Sequence, residues 1–149
     1  MNQVIDSFSG EWRPLSNFWY SPVKYEGVVY ATNEHAFQAA KTLLLNERIR
    51  ILGAVSPSEA KRLGRQVTLR DGWEAMKVHV MLDLTRQKYA DADLRKLLLA
   101  TGDASLVEGN TWGDTYWGVC NGVGKNMLGR ILMQVRKEIK TNLLPEELL

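Results

Sequence analysis

The 149-residue chain is poor in the residues that build disulfides and metal sites, with one cysteine and two histidines. The single cysteine, Cys120, excludes an intrachain disulfide and any multi-cysteine metal site, and it suits a reducing compartment. His35 and His79 have no metal-site spacing and no HExxH pattern, so we interpret both as structural residues and expect no metal. The expected localisation is the cytoplasm.

The sequence also lacks long apolar runs and a strong charge of either sign. No apolar stretch approaches the ~18 residues of a membrane-spanning helix, and the N-terminus MNQVIDSFSG lacks the pattern of an export signal. We therefore expect no membrane partner. The net charge of +2 is too small to predict nucleic-acid binding by itself, although it would not repel a phosphorylated substrate.

The chain has few proline-rich or polar stretches that would act as linkers. Its length and its 45% hydrophobic content suit one compact domain over residues 1–149. The pattern of elements predicts an α+β fold, predominantly helical, with a small antiparallel sheet. The oligomeric state stays open.

Short strands and turns are predicted near the N-terminus. QVIDSF alternates apolar and polar residues as a strand does, whereas GEWRPLSNF has the composition of a loop. VKYEGVVY predicts a hairpin that turns at Glu26-Gly27. Thr32 or Asn33 then caps a helix that we expect to run to about Leu45.

Helix start signals dominate the rest of the chain. Ser56 precedes Pro57 and Glu59, Asp71 opens a helix that reaches about Lys88, and Asp91 or Asp93 caps ADLRKLLLA. We expect burial of the triple leucine, a strand in SLVEGN and a final helix over about 125–139.

The stretch ATNEHAFQAAK carries a polar stripe. Its spacing places Glu34, Gln38 and Lys41 on one side of the helix, with Ala36, Ala40 and Leu43 on the other. Such a stripe can simply face water. It can also face a substrate, because an aromatic-rich loop and hairpin precede it, and then a carboxyl and an amine are available for acid–base or nucleophilic chemistry.

A second unusual stretch, WGDTYWGVCNGVGKN, crowds glycines among aromatic residues. It matches neither the Walker spacing nor the dinucleotide GxGxxG fingerprint. Its last residues put Lys125 at a helix N-terminus, where a phosphate is favourable. The alternative is a glycine-rich turn packed under tryptophans.

Four segments taken together resemble the NADAR, or YbiA-like, family. They are FSGEWRPLSNF, YEGVVYATNEHAFQAAK, DGWEAMKVHVM and WGDTYWGVCNGVGKNMLGRILMQVR, and they occur in the family's order and spacing over nearly the whole chain. The resemblance implies an N-glycosidase without a metal or organic cofactor. Its substrates would be phosphoribosylamino-pyrimidine intermediates of riboflavin synthesis or ADP-ribosylated guanine, the latter also as part of a nucleic acid.

The resemblance also implies a site. The family's acidic residue, lysine, tryptophan and aspartate fall on Glu34, Lys41, Trp73 and Asp114, the expected catalytic group. Aromatic contacts to base or sugar, and polar or phosphate contacts, are expected from a wider set: Trp12, Ser16, Asn17, Phe18, Gln38, Trp112, Gly113, Lys125 and Asn126. The sequence departs from the family at Asn33, where serine is frequent.

The chemistry of a ribosyl C–N bond suits these residue types. Cleavage develops positive charge at the anomeric carbon and negative charge on the departing base, so an acid and a nearby carboxylate help. Either water attacks directly, or Lys41 traps the opened sugar as a Schiff base, which requires an uncharged amine. A non-catalytic ADP-ribose or nucleotide-binding module and a partner-binding helical domain are the alternatives to an enzyme.

Overall fold

The computed structural model describes residues 3–142 of the chain. A 3-10 helix over Gly10–Leu15 precedes the α-helices α1 (Asn33–Ala40), α2 (Leu45–Leu52), α3 (Pro57–Gly64), α4 (Trp73–Lys88), α5 (Ala92–Ala100) and α6 (Met127–Asn142). The strands are short: β1 (Val4–Ile5), β2 (Val23–Tyr25), β3 (Val28–Tyr30), β4 (Ser105–Leu106), β5 (Gly109–Asn110) and β6 (Val119–Cys120). The predicted class, α+β with mostly helix, is confirmed.

The strands pair two by two. β2 and β3 form the predicted antiparallel hairpin, whereas β1 pairs with β4 and β5 with β6 in parallel. The hairpin turns at Glu26 and Gly27, both with positive φ, +46° and +84°. Two successive positive φ values are the requirement of a tight two-residue turn that matches strand twist, and glycine meets it without strain.

The chain divides into two compact units. One comprises residues 14–88, and the described part of the other comprises residues 3–13 and 89–142. The organisation of residues 1–149 as one NADAR-type domain stays a prediction.

In the unit of residues 14–88, α1 is the central element. It packs against α2, α3, α4 and the hairpin, and all eight of its residues are buried. Three alanines allow the neighbouring backbones to approach closely. The polar residues Glu34 and Gln38 of α1 are therefore buried together with its apolar residues, so this part of the predicted polar stripe does not face open solvent.

The predicted end of this helix is also wrong. α1 ends at Ala40 instead of about Leu45, and Leu43 lies outside it, exposed. The cause lies in partners that are distant in sequence: the backbone N–H of Arg70 donates to Lys41 O at 2.8 Å, and Arg48 Nε donates to Thr42 O at 2.7 Å. These carbonyls accept bonds that continued helix would have supplied.

Other boundaries differ by a few residues. GEWRPL, expected as loop, forms the 3-10 helix, and the helix expected from Asp71 starts at Trp73, after Gly72 with φ +77°. The last helix starts at Met127, because Asn126 has φ +54°. Ser56 and Asp91 cap their helices as predicted, with side-chain bonds to Glu59 N and Leu94 N.

In the second unit, α6 packs on α5 and β4. Its buried face comprises Leu128, Ile131, Leu132 and Val135, the four residues that the periodicity of the sequence assigns to the core. Of the triple leucine in α5 only Leu98 is fully buried, so that expectation holds for one residue of three. SLVEGN contains two short strands, β4 and β5, instead of one.

Candidate active site

Two polar residues lie buried next to each other on α1. Glu34 is 8% exposed and Gln38 5% exposed, and Gln38 Nε2 donates a 2.7 Å hydrogen bond to Glu34 Oε1. Carboxylates are rarely buried unless they are bonded. The interpretation of this stripe as a solvated helix face is thus excluded, and Gln38 is the residue that orients the Glu34 carboxylate.

The N-terminus of α1 is fixed by Thr32 and His35. Thr32 Oγ1 accepts from the backbone N–H of His35 at 3.1 Å and lies 2.8 Å from His35 Nδ1. His35 Nε2 lies 3.1 Å from the carbonyl oxygen of Ala54, which can only accept, so Nε2 carries the proton in this arrangement. Both ring nitrogens of His35 thus have partners within the protein, which is consistent with the predicted structural role.

The side chain of Gln38 in turn packs against Gly64, the last residue of α3. A methyl group built on Gly64 would overlap Gln38 Oε1. The glycine therefore makes room for the amide that holds Glu34. α3 consequently takes part in shaping the site, although its sequence gives only an ordinary helix pattern.

Lys41 follows α1 directly and is half-buried. Burial lowers the pKa of its amine, the charge of Glu34 raises it, and Arg65, Lys61 and Lys77 lower it further, with a net shift below the ordinary value. A lysine with a lowered pKa carries more uncharged amine at neutral pH. This is the form that nucleophilic chemistry requires.

Trp73 stands on the first turn of α4 and faces α1. Its ring lies 5.1 Å from the ring of Phe37, tilted by 55°, and Lys41 Nζ lies 6.0 Å from the centre of the same Phe37 ring. Trp73 is buried. The Phe37 ring thus lies next to two of the predicted catalytic residues, Lys41 and Trp73.

The loop of residues 16–18 adjoins the start of α1. Asn17 O accepts from the backbone N–H of Glu34 at 3.2 Å, Asn17 Nδ2 lies 3.5 Å from Met81 Sδ, and Ser16 Oγ accepts from Phe18 N at 3.1 Å. Phe18 itself is exposed. Ser16 and Asn17 therefore act through backbone geometry in this structure, and their role as substrate contacts stays a prediction.

Buried polar atoms near Glu34 have unused bonding capacity. Within residues 3–142, Asn33 Nδ2, Asn33 Oδ1 and Gln38 Oε1 are buried and have no hydrogen-bond partner. Each such atom costs about 1–3 kcal/mol if nothing bonds it. Orphaned polar groups of this kind are rare in native proteins and concentrate where a water or a ligand binds.

In the other unit, Asp114 organises the glycine-rich segment. Asp114 Oδ1 accepts from the backbone N–H groups of Tyr116 and Trp117 at 3.1 and 2.9 Å. The backbone of Asp114 is paired with the side chain of Asn110, whose Oδ1 accepts from Asp114 N and whose Nδ2 donates to Asp114 O. The carboxylate is held in a fixed orientation by a turn that it caps itself.

The remaining predicted contacts of this unit differ in exposure. Trp112 is 62% exposed, Trp12 is partly buried, and Gly113 has φ +86°. Lys125 is exposed, with Nζ 5.5 Å from the centre of the Tyr116 ring. The side chain of Asn126 bonds within the protein at both ends, because Oδ1 accepts from Glu108 N and Nδ2 donates to Leu106 O.

The structure thus brings Glu34, Gln38, Lys41 and Trp73 together in one unit, and it locates Asp114, Trp112, Gly113, Lys125 and Asn126 in the other. That the two groups serve one pocket stays a prediction. Sequence reasoning missed Gly64, which contacts Gln38, and the cations that lower the pKa of Lys41, namely Arg65, Lys61 and Lys77. Their spacing is that of ordinary helices, and only tertiary packing reveals them.

Two kinds of feature, a metal-binding cluster and a membrane-spanning helix, are absent from residues 3–142. That range contains no group of three or more His, Cys, Asp or Glu side chains arranged to hold a metal ion. None of the helices described there has the length and apolar character needed to cross a membrane.

Known proteins resemble this chain over most of its length. The family model described as the NADAR domain matches residues 7–140. N-glycosidase YbiA of Shigella flexneri serotype 5b is 44% identical over 137 residues, covering 89% of this chain and 85% of that protein. A riboflavin biosynthesis protein of Vibrio vulnificus is 36% identical over 85% of this chain, which corresponds to 35% of that longer protein.

The NMR structure of the E. coli protein YbiA has the same fold. It superposes with a TM-score of 0.83 at 39% sequence identity, covering 99% of this chain and 89% of that one. The chain belongs to the NADAR family, as its four motif segments predict.

Proposed function

We propose that this protein is an N-glycosidase that hydrolyses the bond between a ribose anomeric carbon and the nitrogen of a base. The enzyme class is that of the NADAR relatives named N-glycosidase. The observation that carries the proposal is the buried Glu34–Gln38 pair beside Lys41, an amine with a lowered pKa.

Glu34 has the chemistry of the general acid or base. In the acid role it donates a proton to the departing nitrogen while the C–N bond breaks and its electron pair leaves with the base. The bond from Gln38 holds the carboxyl in one rotamer, and the Glu34 N–H bond to Asn17 O fixes the backbone below it. Such positioning reduces the motion needed to reach the transition state.

Lys41 favours the covalent route over direct attack by water. Its uncharged Nζ would attack the anomeric carbon as the C–N bond breaks, and the base would leave with its electron pair and a proton from Glu34. The glycosylated amine would lose a proton and open the sugar ring to a Schiff base, which one water molecule hydrolyses to free sugar and free amine. Burial and the surrounding cations lower the pKa of Lys41, which is the condition that this route requires. Direct attack by water needs no such amine.

We propose phosphoribosylamino-pyrimidines of riboflavin synthesis as the substrate class. This choice rests on the family resemblance and on the relative of Vibrio vulnificus that is named a riboflavin biosynthesis protein. ADP-ribosylated guanine, free or in nucleic acid, is the second candidate, because it contains the same ribose C1–N linkage. The exposed Arg65 and the partly exposed Lys61, cations close to Lys41, suit the phosphate groups of both substrates.

Two substitutions test the assignment, Glu34→Gln and Lys41→Ala. Glutamine at position 34 still accepts the bond from Gln38 and keeps the helix, so only the proton function is removed. We expect a fall in rate of roughly 10²- to 10⁴-fold for Glu34→Gln and at least as much for Lys41→Ala. The measurement is release of free base from a panel of ribosylated pyrimidines and ADP-ribosylated guanosine, with circular dichroism as the check on folding.

The matched control is Asp83→Asn, which changes a carboxylate to an amide at an exposed position of α4. It should leave the rate unchanged. Borohydride added during turnover should leave a covalent adduct on Lys41 of the native protein and none in Lys41→Ala. Near-native rates in both folded variants would refute the proposed chemistry, and tight ADP-ribose binding without base release by the native protein would support a binding module instead.

A further inference from the structure

Lys88, at the C-terminal end of α4, is a cationic residue type that is buried in the protein. It is 2% exposed, and burial lowers the pKa of its amine to about 7. Burying an amine costs free energy that a methionine of similar volume would not incur. A residue of this kind is retained most easily where it serves function, because stability alone disfavours it.

The bond that Lys88 makes points to that function. Its Nζ donates a 2.8 Å hydrogen bond to the backbone oxygen of Ser16. The next residue, Asn17, accepts the backbone N–H of Glu34 through its own carbonyl at 3.2 Å. Two hydrogen bonds and one peptide unit therefore connect the buried amine to the backbone of Glu34.

The Ser16 carbonyl also accepts from Trp19 N at 3.1 Å, but that bond is local and does not attach the loop to another element. The side chain of Ser16 is used within the loop, on Phe18 N, and the side chain of Asn17 reaches only the sulfur of Met81, a weak acceptor. A loop of small polar residues without such attachments is mobile. The amine of Lys88 supplies the charge-assisted or neutral donor that fixes it.

We propose that Lys88 is a positioning residue, which sets the place of the Glu34 carboxylate by fixing the peptide between Ser16 and Asn17. The proposal rests on the proposed function, because it assumes that Glu34 acts in the reaction. It goes beyond that function by assigning a role to a residue that bonds the backbone of Ser16. A displacement of about 1 Å at a reacting group can lower a rate by roughly 100-fold.

The test is Lys88→Met, compared with Gln87→Met as the matched control. Gln87 is the preceding residue of α4 and also anchors a backbone segment, since its Nε2 donates to Lys24 O and its Oε1 accepts from Lys24 N. That anchor lies on β2, outside the loop of residues 16–18. For each variant the kcat, the KM, the Tm and the amide hydrogen exchange of Glu34 and Phe37 are measured.

We expect Lys88→Met to lower kcat at least tenfold, with a smaller change in KM and with a Tm equal to or above that of the native protein. The Glu34 amide should exchange faster while that of Phe37, inside the helix, is unchanged. Lys88→Arg, which keeps a donor, should recover part of the lost kcat. Gln87→Met should leave kcat and the Glu34 amide unaffected.

The contrary outcomes are distinct. A native kcat in Lys88→Met overturns the positioning role, and so does a variant that unfolds or has a lowered Tm, because Lys88 would then be a structural residue of the core. If the native protein releases no base from any substrate, the proposed function itself is refuted. In that case unchanged exchange at Glu34 in Lys88→Met still overturns the positioning role, and faster exchange supports it.

Discussion

Lys41 has an amine whose pKa is set by burial and by the charges around it. Burial and the positive charges of Arg65, Lys61 and Lys77 lower the pKa of its amine, while Glu34 opposes them. Loss of a proton converts the inert ammonium into the nucleophile, so the rate should rise with pH through the pKa of Lys41. Because that pKa is below the ordinary value for lysine, the rise comes nearer to neutral pH than it otherwise would.

Arg65→Gln tests this dependence. Removing a cation that lowers the pKa of Lys41 raises it, so the ascending limb of the pH–rate profile should move to higher pH. At neutral pH the variant should be slower than the native protein, and the two should converge at alkaline pH. Stopped assays of base release across the pH range provide the measurement.

Arg62→Gln is the control, because Arg62 lies on the same helix, exposed and ion-paired with Glu59. Its profile should match that of the native protein. An unshifted profile in Arg65→Gln would show that Lys41 does not titrate in the rate-limiting step.

At the scale of single residues, the sequence identifies candidate catalytic residues better than it identifies the residues that position them. Glu34, Gln38 and Lys41 follow from helical spacing within one short stretch. Lys88 does not, because its partner Ser16 lies 72 positions away and its own neighbours suggest only the end of a helix. Residues that act through tertiary contacts leave no periodic pattern to detect.

Among the elements, α1 is a short helix whose stability depends on the hydrogen bonds at its ends. A helix of eight residues is marginal by itself, and its stability comes from packing and from bonds at its ends. Thr32 supplies the N-terminal bond, to His35 N, and also contacts the His35 ring. Arg70 and Arg48 hold the carbonyls that follow the C-terminus.

Thr32→Ala should therefore lower the free energy of unfolding by about 1–2 kcal/mol, the upper part of the usual range for an N-cap, because the His35 ring loses a partner in the same change. Thr32→Ser keeps the hydroxyl and should cost less than about 0.5 kcal/mol. Urea denaturation of both variants gives the comparison. Equal stability of Thr32→Ala and the native protein would contradict the capping role.

The helix starts after Ser56 and Asp91 were predictable because their signals are local. Ser56 and Asp91 cap within three residues of themselves, and the hairpin turn at Glu26-Gly27 requires only a glycine in the right place. The end of α1 was not predictable from ATNEHAFQAAK, since the bonds that terminate it come from Arg48 and Arg70. Burial on every side of α1 was equally hidden, because the elements that cover it, α2, α3, α4 and the hairpin, come from other parts of the sequence.

At the scale of the whole molecule, the family resemblance predicts that Asp114 serves the same reaction as Glu34. Asp114→Asn isolates the charge, because the asparagine Oδ1 can still accept from Tyr116 N and Trp117 N. We expect kcat/KM to fall at least tenfold while the unfolding midpoint stays the same.

Asp114→Ala removes the acceptor as well and should cost about 1–3 kcal/mol of stability in addition. The double variant Glu34→Gln, Asp114→Asn should be less impaired than the product of the two single effects, as found for residues that act as a unit. If Asp114→Asn had full activity, the negative charge of Asp114 would have no role in the reaction, and this side chain would only stabilise its own turn.

The contact between Gly64 and Gln38 limits which sequences can carry this site. A Cβ at position 64 would overlap Gln38 Oε1, and the same amide bonds Glu34 through Nε2. A substitution at 64 is therefore accommodated either by a shift of the Gln38 amide or by a shorter residue at 38. Both changes disturb the hydrogen bond to Glu34, so sequence drift at position 64 should accompany loss of activity.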